Sequence, residues 1–271
     1  AKEPSKFGLS PFHMAVVFNQ CSALKQLIQQ LGSSNHKAKV IYTSLAGKSY
    51  ELALSPFHLA ILFGREEVVS WYLARKDWQR QIDRFGNIFH LAACSGQTTI
   101  FQLLLSHPAI GNPGDLLSQP HHIEDLTVLA YAAAKNKAWI VYTLLKAYQR
   151  DTGLKGRQRH QQDQQALIAA VDYAAVESVQ MLLALGVESN FTFDLETKNL
   201  SLKGFALRCR KRHQASTKAW QEADEIVTHI DQAASGESEN RYKILEIVQR
   251  PVRNLVFQGG GIKGIAHVGA Y

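Results

Sequence analysis

The residues with the strongest chemical pattern stand near the end of the sequence: Gly259-Gly260-Gly261-Ile262-Lys263-Gly264. The compact apolar run Arg253-Asn254-Leu255-Val256-Phe257-Gln258 leads into them as a predicted strand. Ile265-Ala266-His267-Val268-Gly269-Ala270-Tyr271 follows as the start of a small-residue helix. Strand, glycines and helix together make an anion-binding construction. Residues without Cβ atoms let the loop turn tightly and aim successive backbone N–H groups at one spot. The helix end adds roughly half a positive charge at the same place. Gly259, Gly261 and Gly264 also satisfy Gly-x-Gly-x-x-Gly, the dinucleotide fingerprint, whose acidic partner stands about 20 positions further on. That position lies beyond Tyr271, so the motif by itself leaves both kinds of site open. Lys263 is placed to orient the loop or to meet a phosphate, with an ordinary solvated lysine as the plainer alternative. His267, one turn into the helix, reads as a packing or surface residue.

Three other sets of residues invite a chemical reading. His13, His58 and His90 recur once in each of three similar segments. That recurrence predicts hydrogen bonds between neighbouring units, not a metal site, and no metal is expected. His121-His122 is an isolated loop pair that receives no role. Lys203, Arg208, Arg210, Lys211, Arg212 and His213 form a basic run on a predicted helix. Such a run is either a solvated face or a contact for anionic lipid headgroups. It has no interleaved aromatic platform and no docking motif, so no nucleic-acid partner is expected. Cys21, Cys94 and Cys209 are widely spaced, with no Cys-x-x-Cys pair, and support neither zinc nor a disulfide.

The elements that must carry these residues are helical hairpins in series. Gly8-Leu9-Ser10-Pro11-Phe12-His13-Met14-Ala15, Leu54-Ser55-Pro56-Phe57-His58-Leu59-Ala60 and Gly86-Asn87-Ile88-Phe89-His90-Leu91-Ala92 repeat one pattern. Leu126 to Ala132 and Gln165 to Ala170 are weaker copies. Aligned on His13, His58, His90, Ala130 and Ile168, the units start 45, 32, 40 and 38 residues apart. Ser10 and Ser55 are predicted N-caps, each worth about 1 kcal/mol over Ala, with Pro11 and Pro56 at the first helical position. A break such as Phe63-Gly64-Arg65 or Ser95-Gly96-Gln97 ends each first helix. Second helices are predicted over residues 66–74, 98–105, 138–148 and 176–185, the last ending at Gly186 as a left-handed cap. Apolar residues at three- and four-residue steps give every hairpin a face that only a neighbour can bury.

Two insertions and a C-terminal region complete the reading. Val40-Ile41-Tyr42-Thr43, Ala46-Gly47-Lys48 and Tyr50-Glu51-Leu52-Ala53-Leu54 predict strand, turn and strand, a hairpin finger between the first two repeats. Residues 110–124, with Gly111, Pro113, Gly114 and Pro120, predict an irregular loop. Residues 200–234 predict two helices that cap the stack, with Ala219, Ala223, Ile226, Val227 and Ile230 on one face. Residues 235–240 read as a polar linker, followed by a short helix from Arg241 to Arg250 that Pro251 ends.

The Ser-Pro-Phe-His-x-Ala segments resemble the Thr-Pro-Leu-His-x-Ala signature of ankyrin repeats. Leu182-Leu183-Ala184-Leu185-Gly186-Val187-Glu188-Ser189-Asn190 is similar to the ending of such a repeat. The resemblance covers roughly residues 8–190, although the fourth and fifth units lack the Pro and His. Leu255 to Ala270 resembles the opening of patatin-like phospholipases: a strand, Gly-Gly-Gly-x-Arg/Lys-Gly and a small-residue helix. Gln258 departs from that family's usual Asp before the glycines. The resemblance implies that the backbone N–H groups of Gly259, Gly260, Gly261 and Ile262, framed by Lys263 and Gly264, form an oxyanion hole for ester hydrolysis. One such donor is worth roughly 10²–10³ in rate. The family's serine sits in a Gly-x-Ser-x-Gly elbow, with an Asp-Gly partner later still. Neither motif occurs in these 271 residues, so the chain by itself is expected to be inactive, with its dyad downstream.

The reading is therefore a mostly α chain. Residues 1–234 are an ankyrin-repeat solenoid of helical hairpins with one β-hairpin insertion, residues 235–251 a linker with a short helix, and residues 252–271 the first strand-loop-helix of an α/β patatin-like domain. The expected function is the recruitment or regulatory region of a patatin-like lipid acyl hydrolase, with a protein partner on the ankyrin surface and a phospholipid or membrane surface as substrate. The alternatives are an interaction scaffold without catalysis and a dinucleotide-binding domain. No cofactor is expected on the hydrolase reading. Composition agrees with a soluble globular class, at 46% hydrophobic and 20% charged residues, and no run reaches the ~18 apolar residues of a membrane span. The net charge of +7 allows attraction to anionic surfaces without selecting one. Ala1-Lys2-Glu3-Pro4 has no Met and no signal pattern and reads as a cut end. The unpaired cysteines point to a reducing intracellular home, cytoplasmic or held at a membrane surface, and for a bacterial source delivered into a host cell.

Overall fold

A computed structural model of the protein describes residues 9–235, apart from 33–35, 76–77, 150–155, 196–197, 214 and 216. The glycine loop, its flanking strand and helix, and the linker with its short helix lie outside the described residues.

Each repeat begins with a first helix, short in all but the fifth: α1 (Pro11–Val17), α3 (Pro56–Leu62), α5 (Ile88–Ser95), α8 (Val128–Ala134) and α10 (Gly156–Asp172). Each is followed by a second: α2 (Cys21–Leu31), α4 (Glu66–Arg75), α6 (Thr98–Ser106), α9 (Ala138–Gln149) and α11 (Val176–Ala184). The caps are as the residue types dictate. Ser55 Oγ accepts from His58 N–H, Asn87 Oδ1 from Phe89 and His90 N–H, and Thr127 Oγ1 from Ala130 N–H.

The turn between the two helices of every repeat contains one left-handed residue: Asn19 (φ +56°), Gly64 (+68°), Gly96 (+75°), Asn136 (+54°) and Ala174 (+51°). These lie 45, 32, 40 and 38 residues apart, the spacing of His13, His58, His90, Ala130 and Ile168, each six residues further on. The weak fourth and fifth repeats therefore keep the same register as the strong ones. In four of the five, the N–H groups of this residue and of the next bond back to the end of the first helix, as in Ala174 to Val171 O and Ala175 to Ala170 O. Gly186 closes the fifth repeat at φ +85°, as predicted.

The hairpins stack in two layers. The first helices pack in the order α1-α3-α5-α8-α10, and α4-α6-α9-α11 form the layer behind them. Lys25 and Glu67 join α2 to α4 at 2.9 Å. Two more helices, α12 (Leu202–Arg210) and α13 (Lys218–Ala234), pair with each other and extend the layers against α10 and α11. Ala223, Ile226, Val227 and Ile230 of α13 are buried. Between the layers Leu24, Phe57, Ile61, Leu73, Phe89 and Phe101 are wholly enclosed. Each such side chain contributes about 1.5–3 kcal/mol by leaving water.

Among the described residues, three antiparallel two-stranded sheets decorate the stack, where one was expected. The predicted finger is present as β1 (Ala38–Thr43) and β2 (Ser49–Leu54), in register from Ala38 opposite Leu54 to Thr43 opposite Ser49. Two shorter pairs are additional: β3 (Gln81–Ile82) with β4 (Gly86–Asn87), and β5 (Thr192–Leu195) with β6 (Lys198–Ser201). The first is too short for any periodicity to reveal it. The second carries its signal in Phe191, Phe193 and Leu195, which alternate with polar residues and lean on the core.

Residues 110–124 are not an irregular loop. They hold the end of a 3-10 turn (Pro108–Ile110) and helix α7 (Gly114–Ser118), whose Leu116 and Leu117 are buried and so anchor the segment. Helix α10 starts well before the predicted Gln165, because the polar stretch ahead of it is built of good helix formers with no Ser-Pro to mark a start. Among the described residues, no helix is long and apolar enough to cross a membrane.

Candidate functional site

The repeating histidines tie the units together. Their Nδ1 atoms accept from the backbone N–H of the residue three back, at 3.1 Å for Ser10, 3.4 Å for Ser55 and 3.4 Å for Asn87. Nε2 therefore carries the proton and donates to a carbonyl in the next connection. The bonds are His13 to Leu54 O at 3.2 Å, His58 to Gln79 O at 3.0 Å and His90 to Leu126 O at 3.2 Å. Burial holds all three imidazoles below their ordinary pKa, His58 and His90 down to about 4, so they stay neutral in the form these bonds need. This is the inter-repeat role the sequence predicted.

With one side of each first helix given to the core, the opposite side forms a continuous face. In α1 that face is Met14, Val17 and Phe18, spaced three and four residues apart. Phe18 is 63% exposed, and Phe63, its equivalent in the second repeat, 44%. In the fourth repeat the same positions are Tyr131, Ala134 and Lys135, and there the face is shut: Tyr131 is 0% exposed.

The β1–β2 hairpin closes it. Ala38, Val40 and Tyr42 of β1 share one side of the hairpin with Leu54, Leu52 and Tyr50 of β2, so this side is apolar but for the two tyrosine hydroxyls. Lys39 and Glu51, on the outer side, pair at 2.8 Å. The hairpin leaves the stack between the first and second repeats, yet its far end reaches the third and fourth. The Tyr42 ring meets Phe85 of the β3–β4 connection edge-on at 5.1 Å. Tyr42 Oη donates to Glu124 Oε1 at 2.7 Å and lies 3.1 Å from Tyr131 Oη. Leu45 N–H donates to the same Glu124 oxygen at 2.7 Å. Lys135 Nζ reaches Thr43 O at 3.4 Å and sits 5.2 Å from the centre of the Tyr42 ring.

His121, given no role by its sequence context, is buried beneath this contact. Its ring stacks on Tyr131 at 4.6 Å and 13° and meets Phe85 edge-on at 4.4 Å. Its Nδ1 accepts from Ile123 and Glu124 N–H, both at 3.2 Å, which shapes the turn that presents Glu124. Nε2 has no hydrogen-bond partner. Burial, then the neighbouring His90, His122 and Lys135, push its pKa down to about 3. Glu124, Tyr42 and Lys135 were equally invisible as a group, since nothing local joins them. The apolar alternation of β1 and β2 was the one available signal.

The basic run is placed on and just after α12. Lys203 pairs with Asp231 at 2.8 Å, Arg212 with Asp172 at 2.7 Å, and Arg210 with Asp224. Arg208 and Lys211 are exposed. Three of the five proposed lipid contacts are thus engaged with carboxylates of the chain itself. The oxyanion-loop residues Gly259, Gly260, Gly261, Ile262, Lys263 and Gly264 lie outside the described residues. Among the described residues, no group of three or more His, Cys, Asp or Glu side chains could hold a metal ion.

No curated protein matches the chain. Residues 12–115, which hold the helices of the first three repeats, match the family model described as ankyrin repeats (3 copies). That stretch of the chain is thus made of ankyrin repeats, and repeats of this kind support a protein–protein interaction scaffold.

Proposed function

We propose that the helical stack is the partner-binding and regulatory region of a lipid acyl hydrolase of the patatin-like type. The observation that carries the chemistry is the sequence Gly259-Gly260-Gly261-Ile262-Lys263-Gly264 behind an apolar strand. On this reading its N–H groups stabilise the oxyanion formed when a serine encoded beyond Tyr271 attacks an ester. The exposed part of the inner-helix face, at Met14, Phe18 and Phe63, supports a protein partner. A membrane surface would meet Lys203, Arg208, Arg210, Lys211 and Arg212, competing for three of them with Asp231, Asp224 and Asp172. The reading places the protein inside a cell, in the cytoplasm or at a membrane.

The test is phospholipid hydrolysis by the full-length gene product. Gly261→Ala is expected to lower the rate roughly 10²-fold or more, with the stack's thermal transition unchanged. An open reading frame without Gly-x-Ser-x-Gly, or a rate indifferent to Gly261→Ala, overturns the hydrolase reading. What then remains is a scaffold without catalysis, which the three matched repeats favour independently. Retention of the same purified partner by residues 1–234 supports that scaffold.

A further inference from the structure

We infer that the β1–β2 hairpin is a strap that occupies the partner face of the stack over its third and fourth repeats, latched at its tip by Glu124. The inference rests on the reading of the inner-helix face as the partner face. Equivalent positions make the case. The first repeat leaves Met14 and Phe18 open, whereas the equivalents of Met14 in the next three repeats, Leu59, Leu91 and Tyr131, are enclosed, and Lys135, the fourth repeat's counterpart of Phe18, is half-buried. At the fourth repeat it is the hairpin that meets this face, with its tip engaged by α8 and the preceding turn.

The latch is small. One carboxylate oxygen of Glu124 receives both the Tyr42 hydroxyl and the Leu45 N–H at 2.7 Å each, and the Lys135 ammonium reaches Thr43 O at 3.4 Å and sits 5.2 Å from the centre of the Tyr42 ring. At its base β2 continues through Leu54, whose carbonyl accepts from His13, into the Ser55 cap. The hairpin is therefore fixed at its base and pinned at its far end by Glu124. Releasing the pin uncovers the Tyr131 side of the face without disturbing the helix layers behind it. An ankyrin stack held this way binds through that part of its face only when the partner, or a change at Glu124, frees the tip.

Cys94 is a built-in reporter. It lies four residues after His90 on the same face and within electrostatic reach of both Tyr42 and Tyr131. Cys94 is part-exposed, whereas Cys21 and Cys209 are buried in the stack away from the hairpin tip. The experiment follows iodoacetamide labelling of each cysteine by mass spectrometry in the full chain. Glu124→Ala removes two hydrogen bonds to a charged group and is expected to raise Cys94 labelling roughly tenfold, with Cys21 and Cys209 unchanged. Tyr131→Phe, which deletes only one hydroxyl, is expected to give a smaller rise. Hydrogen exchange should show residues 38–54 opening faster in Glu124→Ala, with α5 and α6 unaffected. Joint labelling of all three cysteines overturns the strap, because the hairpin is then inseparable from global unfolding. So does an unchanged Cys94 rate with unchanged hairpin exchange. None of these readings needs a partner, so their failure leaves the partner-binding proposal standing, and a failed binding assay leaves the strap standing.

Discussion

The same pair of residues exchanged in opposite directions at two equivalent turns should change stability with opposite signs. Gly64 and Ala174 occupy the left-handed position of the second and fifth repeats, at φ +68° and +51°. An L-residue there costs about 1–2 kcal/mol, whereas Gly loses about 0.4–1 kcal/mol more entropy on folding than Ala. For Ala174→Gly the strain is relieved, the entropy is lost, and a part-buried methyl forfeits a few tenths of a kcal/mol. The net is a stabilisation of about 0.5 kcal/mol. For Gly64→Ala the new Cβ would stand 2.9 Å from Gln97 Cδ and Oε1. Gln97 is exposed and its side chain can swing away, so the backbone strain dominates and the net is a loss of about 0.5–1 kcal/mol. Urea unfolding followed by circular dichroism reads both, and thermal midpoints should move about 2–4 °C per kcal/mol for a stack of this size. Shifts of the same sign for both variants would show that the five turns are not equivalent and would refute the shared register.

Acid should destabilise the stack over a definite range. The folded pKa values of His58 and His90 are about 4 and that of His121 about 3, all below the unfolded value of 6.5. Stability is then full above about pH 6.5 and falls as pH drops towards 4, because the unfolded chain takes up protons that the folded one refuses. The slope is about 1 kcal/mol per pH unit for each histidine, checked by urea midpoints at pH 7, 6 and 5. His90→Ala strands the Leu126 carbonyl and the Asn87 N–H and opens a cavity, so a loss of roughly 2–4 kcal/mol is expected in the same assay, while His122→Ala should cost under 0.5 kcal/mol. Arg212→Ala, whose ion pair with Asp172 is well exposed, should cost under about 1 kcal/mol. If the basic run meets headgroups, that variant should weaken sedimentation with phosphatidylserine vesicles, and unchanged sedimentation would remove Arg212 from the lipid contact.

Much of the architecture was readable because its rules are local. Ser-Pro caps, a break six residues after each histidine position, and apolar residues at three- and four-residue steps specify a helical hairpin within some thirty residues. They even set the register of the fourth and fifth repeats, where Asn136 and Ala174 stand in for glycine. Asn136 also shows why glycine is not required there: its Oδ1 accepts from Ser178 N–H at 3.0 Å and caps the next repeat's second helix. The alternation of Ala38, Val40 and Tyr42 with Tyr50, Leu52 and Leu54 likewise announced a hairpin with one apolar side.

What no local rule contained is where that side goes. Tyr42 meets Glu124 and Tyr131 across 82 and 89 residues of chain, and His121 becomes a buried stacking partner only because the hairpin covers it. Those contacts depend on how far each stacked repeat carries its face along the solenoid, a sum over four hairpins that spacing within any one of them does not express. The sequence alone determined the repeats, their caps and the apolar side of the finger, because each follows from neighbours within one or two turns. The tertiary structure alone decided that the finger lies back on the stack, because only the assembled face offers the apolar area and the carboxylate that hold it there.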